Sequence, residues 1–436
     1  MSRPHSPAPP RAVSVTELEL AAPEGPVTAF RPAPGAPDPV PGDVYALVRV
    51  AGRPAAALFA HHTPDQDPAE VLGALAVRRL AGAAGPRGDA ERLAAREAPA
   101  PGGPAPRASV VVATRERAAS LARALDSLLA QDHPDHEIVV VDNAPRTTAT
   151  RDLVTGGRYA GRVRYVREDR PGLAAAHNAG VAAARGEVLA FTDDDVLADP
   201  HWLTALTAPF AADPRLGCAT GLILPARLTT PAQILLESHG GFAKGFAPRL
   251  YDPARPPADE PLFPFTAGSF GSGANMAFRA SALRRAGGFD PATGTGTPAR
   301  GGDDLYAFVA VLATGHRLRY TPDALVWHHH RETWQDLRNQ AYGYGAGLTA
   351  YLTATLLRRP ALLPALLARL PRGLAHARAL TAARGGAGDG VPGEHGTRHH
   401  PWPPALSRLE RRGMLHGPAG YLRARLTGGR PAGGPR

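Results

Sequence analysis

Three carboxylates stand in a row at Asp193, Asp194 and Asp195, directly after the apolar stretch from Val188 to Phe191. Carboxylates this close repel one another, and each charge pushes its neighbours' pKa upward. Two arrangements relieve the repulsion. One is a solvated turn that caps the next helix, with Asp199 ahead of Pro200 contributing. The other is a bound hard cation, Mg2+ or Mn2+, which takes few protein carboxylates and leaves positions open for phosphate oxygens. Polar residues also close other apolar runs. Thr114 and Arg117 follow ASVVVA, Asp142 follows EIVVV, and Arg170 and Asn178 flank the glycine turn of RPGLAAAHNAG. Asp142 can accept hydrogen bonds from a base or ribose, and Thr114 and Arg117 can meet the same ligand. The helix start after Gly172 offers free N–H groups that favour anions, with Arg170 and Asn178 around it. These are the parts of a site for a nucleoside diphosphate.

The elements that must position these residues alternate. ASVVVATR, EIVVVDNA, RVRYVRE, EVLAFTDDD and GCATGLILP read as strands, and RAASLARALDSLLAQ, LAAAHNAGVAAA and HWLTALTAPFAA as helices. Unbroken Val/Ile/Leu strands alternating with helices predict an α/β fold, a mostly parallel Rossmann-like sheet covered on both faces. Ligands bind such sheets outside the carboxyl ends of the strands, which places ATRER, DNAP and TDDDV on one edge. The chain has no GxxxxGK[ST], which excludes a P-loop nucleotidase, and no GxGxxG after the first strand, which argues against a dinucleotide fold.

At this point six stretches, VVVATRER, EIVVVDNAP, RPGLAAAHNAG, AFTDDDV, GSGANMAFRASALRRAGGFD and GGDDLYAFVAVLATGHRLRYTPDALVWHH, resemble the ordered motifs of family 2 glycosyltransferases of the GT-A fold. The resemblance covers about residues 108–345, with 108–216 as a nucleotide-sugar half and 217–345 as an acceptor half. It implies an inverting, metal-dependent transfer from a UDP-, dTDP- or GDP-sugar to an acceptor glycan, lipid-linked sugar or small molecule, in polysaccharide or glycoconjugate biosynthesis. FTDDDV takes the place of the family's DXD motif, with Asp193 toward the ribose and Asp195 on the metal. Asp304 takes the place of the catalytic aspartate and Asp303 that of the Glu before it. His328 fits the family's late histidine, which reaches the metal or diphosphate. GSGANMAFRASAL resembles the acceptor-side segment, where Asn275 and Arg279 are candidates for ligand contact or structure. Two positions depart from the family: His177 stands where many members carry Arg, and Tyr306 stands where a second acid is common.

Composition sets the outer limits. The formal charge is +10, yet residues 331–436 carry 16 Arg against 5 acids, so the basicity belongs to the tail and the body is near neutral. Such placement argues against nucleic acid as the partner. It raises an anionic membrane surface as one reading of the tail, since Arg gains roughly 1 kcal/mol each near such a surface; the other is a helical cap on the catalytic domain with a loose end from Ala383. Cys218, the single cysteine, reads as an inert core thiol. No charge-free apolar run reaches the ~18–20 residues of a membrane span. The expected setting is cytoplasmic, with peripheral attachment at the inner face of the membrane open. Residues 1–40 read as poorly ordered, 41–97 as a small α+β appendage, 98–107 as a Pro/Gly linker and 346–436 as a basic helical region. A sugar-phosphate nucleotidyltransferase and a non-catalytic nucleotide-sugar-binding protein are the competing functions.

Overall fold

The computed structural model describes residues 11–81, 105–239, 241–372 and 402–428. The expected linker lies outside these apart from residues 105–107, as does most of the segment after residue 372. Four strands come first: β1 (Val13–Leu20), β2 (Val27–Pro32), β3 (Gly42–Val50) and β4 (Arg53–His62), followed by α1 (Pro68–Ala81). The two strands and helix expected after residue 40 are present. Residues 13–32 correct the reading of a disordered start, because β1 pairs in parallel with β3 and antiparallel with β2. VSVTELEL has a strand's alternation, but the prolines on either side masked it.

The central sheet has the order β11-β13-β10-β12-β8-β5-β6-β7. Its first members are β5 (Ala108–Thr114), β6 (His136–Asn143), β7 (Val163–Glu168) and β8 (Val188–Asp193), all parallel. Then come β9 (Val196–Ala198), β10 (Leu216–Pro225), β11 (Arg249–Tyr251), β12 (Asn275–Arg279) and β13 (Arg317–His328). β12 runs antiparallel between β8 and β10, so the sheet is mostly parallel rather than wholly so. Every residue of β5 and β10 is buried, as strands covered on both faces require. One face packs around Val111, Phe191, Phe278 and Phe308, the other around Val110, Val112, Trp202 and Val326. The helix α2 (Ala118–Leu129) shows how the covering works: Leu121, Ala124, Leu125 and Leu128 recur at helical spacing and are the buried ones.

The helices α3 (Ala149–Thr155), α4 (Leu173–Ala183), α5 (Trp202–Ala212), α6 (Pro231–Ser238), α7 (Ala280–Ala286) and α8 (Asp303–Ala313) complete the catalytic layer. Its N-terminal neighbour is not a free appendage. Val15, Tyr45 and Leu47 share a core with Leu224, Leu325 and Trp327, and buried Arg49 bridges Glu17 to Asp199 across 2.6–2.9 Å. Trp327 is thus core, not a sugar platform.

A boundary at residue 345 falls inside α9 (Trp334–Arg358), which runs unbroken from the catalytic layer. It packs against α10 (Pro404–Leu426), which corrects the expectation of a loose end over those residues. Gly413, Gly417 and Gly345 looked like helix breakers. They let two backbones touch, since a Cβ at Gly345 would collide with the Glu410 carbonyl and one at Gly413 with the Tyr342 carbonyl. Asp290 ties the pair to the catalytic layer, accepting from Tyr421 Oη at 2.8 Å and pairing with Arg358 at 3.0 Å.

Candidate functional site

β8 ends at Asp193, the chain turns through Asp194 and Asp195, and β9 pairs antiparallel with the end of β13, with Val196 opposite His328. This three-residue strand is too short to show a period, and the sequence gave no sign of it. It is what brings His328 to the acids, and the His329 N–H donates to the Asp195 carbonyl at 2.9 Å. One donor atom each from Asp193, Asp195 and His328 lies within 4.8 Å of the others, the arrangement a small hard cation needs. Asp195 Oδ1 is buried with no hydrogen bond and sits 3.4 Å from His328 Nε2. An orphaned carboxylate oxygen facing an imidazole nitrogen fits a metal ion. Burial pushes His328 down to about 4, so the ring is neutral at neutral pH and its lone pair is available. His328 Nδ1 lies 2.9 Å from His330 Nδ1, and His330 Nε2 lies 3.1 Å from Glu237, a chain that orients the ring.

The triplet is not without partners, contrary to the sequence reading. Asp194 accepts from Thr114 Oγ1 at 2.6 Å and pairs with Arg117, which also reaches Asp195 at 2.9 Å. Arg331 stands 3.8 Å from Asp195. Thr114 and Arg117, expected to meet a ligand, here neutralise acids that burial would otherwise protonate. Burial and the other acids raise Asp193 well above the ordinary carboxylate value, and Asp194 rises to about 6 by burial. Burial also opposes charge on Asp195, but His328, Arg117 and Arg331 outweigh it and hold its pKa low. So one acid is kept charged beside two that gain from a cation.

Asp142 ends β6 fully buried, with Oδ2 accepting from Tyr165 at 2.9 Å and Oδ1 unpartnered. Burial raises its pKa. That free oxygen is where a base or ribose donor would bind. Arg170 instead points back to Glu168, 2.9 Å away. Asn178 is spent on structure: its amide exchanges hydrogen bonds of 2.8 and 3.0 Å with the backbone of Phe289, so neither end is free for a donor nucleotide. His177, where the family often has Arg, is buried between Phe191 and Phe289 with Nδ1 3.2 Å from Asp303.

Asp303 and Asp304 open α8 after Gly302, whose φ of 85° requires glycine and whose Cβ would meet Gly347 of α9. They point apart, as neighbours on a helix must. Asp303 is buried toward His177, and its charge is felt by Asp193. Asp304 is half-buried and accepts from the Gly273 N–H at 2.9 Å and the Leu305 N–H at 2.8 Å. The segment from Gly271 therefore does reach the proposed base. Its other candidates do not: Asn275 is fully buried, donating to the Leu222 and Ala324 carbonyls and accepting from Trp202, and Arg279 holds the carbonyls of Leu216, Phe210 and Asp213. Burial and the neighbouring Asp303 carry Asp304 up to about 6.

Comparisons with known proteins agree with this layout. Residues 109–286 match the family Glycosyl transferase family 2. The pre-mycofactocin glycosyltransferase of Mycobacterium tuberculosis is 30% identical over 254 residues, covering 56% of this chain and 48% of that protein. The validoxylamine A glucosyltransferase of Streptomyces hygroscopicus subsp. jinggangensis is 38% identical over 124 residues, covering 27% and 29%. The chain thus spans half or less of the length of these relatives. A mannosyltransferase from Pyrobaculum calidifontis, solved with GDP-Man and Mn2+, is similar with a TM-score of 0.44 and 23% identity over 74% of this chain and 86% of that one. The sheet edge that gathers Asp142, Asp193 and Asp195 is that of a family 2 glycosyltransferase domain, and the chain belongs to that family.

Proposed function

We propose that the chain transfers a sugar from a nucleoside-diphosphate donor to an acceptor hydroxyl, with inversion at the anomeric carbon. The observation that carries this reading is the convergence of Asp193, Asp195 and His328, with the Asp303–Asp304 pair close enough to act on Asp193. Asp142 offers its free oxygen to the base or ribose, and Thr114 and Arg117 keep Asp194 in place behind the cation position. A divalent cation held there would neutralise charge developing on the departing diphosphate. On the acceptor side Asp304 takes the hydroxyl proton as the new bond forms. A carboxylate near pKa 6 suits this task, being ionised at neutral pH yet more basic than a free Asp. The two backbone N–H groups hold it in one orientation. A thermal-shift screen with UDP-, dTDP- and GDP-sugars and Mn2+ tests the reading. One donor class should raise the melting temperature, more with metal than without. No shift with any of them would contradict it.

The tail adds a second part to the proposal, peripheral attachment to an anionic membrane. Among the described residues no helix is long and apolar enough to cross a membrane. Yet Leu357, Leu363, Leu367 and Leu370 are all exposed, next to Arg358 and Arg369, and Leu415, Leu422 and Leu426 are exposed on α10 among its arginines. Leucines left in water beside Arg suit the interface of an anionic bilayer. Flotation should carry the protein up with anionic vesicles at low salt and leave it behind with neutral ones. If anionic vesicles are ignored, these helices only cap the catalytic layer.

A further inference from the structure

Of the 49 basic residues in the chain, one is a lysine, Lys244. It lies in the segment between α6 and β11, and that segment is pinned on both sides of it. Ala243 is buried and Phe246 packs into the core around Trp327. The Gly245 carbonyl accepts from Tyr320 Oη at 2.7 Å. Phe242 lays its ring against His328 and His330, with centroids 5.1 and 5.5 Å away. Lys244 itself is exposed, and among the described residues it has no ion-pair partner. A backbone held this firmly while its one cation stays unpaired presents that cation to something else.

What Lys244 faces is the side of the cleft where the proton is to be taken. Desolvation lowers its pKa, and the Asp304 carboxylate acts in the opposite direction. Tyr344 of α9 reaches the same place from the other side. Its ring is exposed, its hydroxyl accepts from Gln340 at 2.6 Å, and it too senses Asp304. The cations that act on the acidic triplet are Arg117 and Arg331 instead. An ammonium and an aromatic ring beside one carboxylate form a receptor for a sugar-like group that carries a negative charge.

We infer that Lys244 binds an anionic oxygen, phosphate or carboxylate, of the acceptor, in the cleft it shares with Asp304 and Tyr344. This rests on the proposed transfer reaction, and it narrows the acceptor class to negatively charged molecules. The ammonium would also draw the acceptor against the approach of Asp304, where an anion otherwise meets repulsion.

A single lysine makes the test direct. Reductive methylation with 13C-formaldehyde gives one side-chain resonance from Lys244 besides that of the chain's amino terminus. The full chain is saturated with whichever of UDP, dTDP or GDP binds, with Mg2+, and titrated with glucose 6-phosphate or with glucose. Glucose 6-phosphate should shift the Lys244 resonance to saturation and bind roughly tenfold or more tightly than glucose, the effect of about one charge-assisted hydrogen bond. Lys244→Met should bring the two sugars to equal affinity, and Lys244→Arg should restore most of the difference. Calorimetry of the nucleotide in the same samples reports the donor site separately. If nucleotide binds but the sugar phosphate binds no better than glucose, the Lys244 assignment is overturned and the donor reading stands. If nucleotide alone gives the whole shift and sugar phosphate adds nothing, Lys244 serves the donor diphosphate and the inference is equally overturned. Failure of all three nucleotides to bind would overturn the donor reading and this inference with it.

Discussion

Asp304→Asn is expected to lose transfer by roughly 10²–10⁴-fold, the usual range for removing a general base. Asn keeps the size and can still accept one backbone N–H, but it cannot take a proton at neutral pH. Binding of nucleotide with metal should stay nearly unchanged, because Asp142, Asp193, Asp195 and His328 sit on other elements. The pH profile gives an independent check. Asp304 works as a base only when ionised, so kcat/KM should fall as pH drops through about 6. Burial and Asp303 raise this value, while His177 and the two backbone N–H groups lower it, so the limb belongs to the coupled pair rather than to one residue. Asp303→Asn removes the neighbouring charge and should move that limb to lower pH while costing far less turnover. Reversed effects in the two variants would shift the register of the base by one residue, and full turnover in Asp304→Asn would place the base elsewhere.

The second large effect concerns the cation. Asp195→Asn should weaken nucleotide binding by at least tenfold in the presence of Mn2+, and EDTA should do the same to the unmodified chain. The reasoning differs from that available before the structure. Arg117 and Thr114 already neutralise Asp194, so the triplet as a whole does not demand an ion. What does is Asp195 Oδ1, buried without a partner and facing a neutral imidazole nitrogen. An unsatisfied buried carboxylate oxygen costs free energy that a coordinated ion removes. Calorimetry with UDP, dTDP and GDP, with metal and with EDTA, makes the measurement. Equal affinity in both conditions would end the metal assignment.

The parts of this molecule that repeat a simple period were legible in its sequence. The strands ending in Thr114, Asp142 and Asp193 are unbroken apolar runs, and a parallel sheet puts their ends on one edge whatever the details. Asp304 and His328 came from resemblance, and the structure sets them beside the Gly273 N–H and Asp195. Contacts made by single side chains across the fold were not legible. Asn178, Asn275 and Arg279 have the chemistry of ligand contacts, but each is used up on backbone carbonyls or amides that no local pattern announces. The helix at 404–426 was hidden by the glycines that allow its close packing on α9. Lys244 left one trace, its singular residue type, and only the fold shows what it faces.

The most direct test of the central claim is to identify what the enzyme releases from its donor. The full chain is incubated with UDP-, dTDP- and GDP-sugars and Mn2+, and the nucleotide product is separated and named. Sugar transfer breaks the bond between the anomeric carbon and the diphosphate, so one donor class should yield its nucleoside diphosphate. That release should need metal and should nearly vanish in Asp304→Asn. A nucleoside triphosphate formed from donor and pyrophosphate would mark a nucleotidyltransferase and contradict the account, and so would tight donor binding with no turnover in the presence of any acceptor.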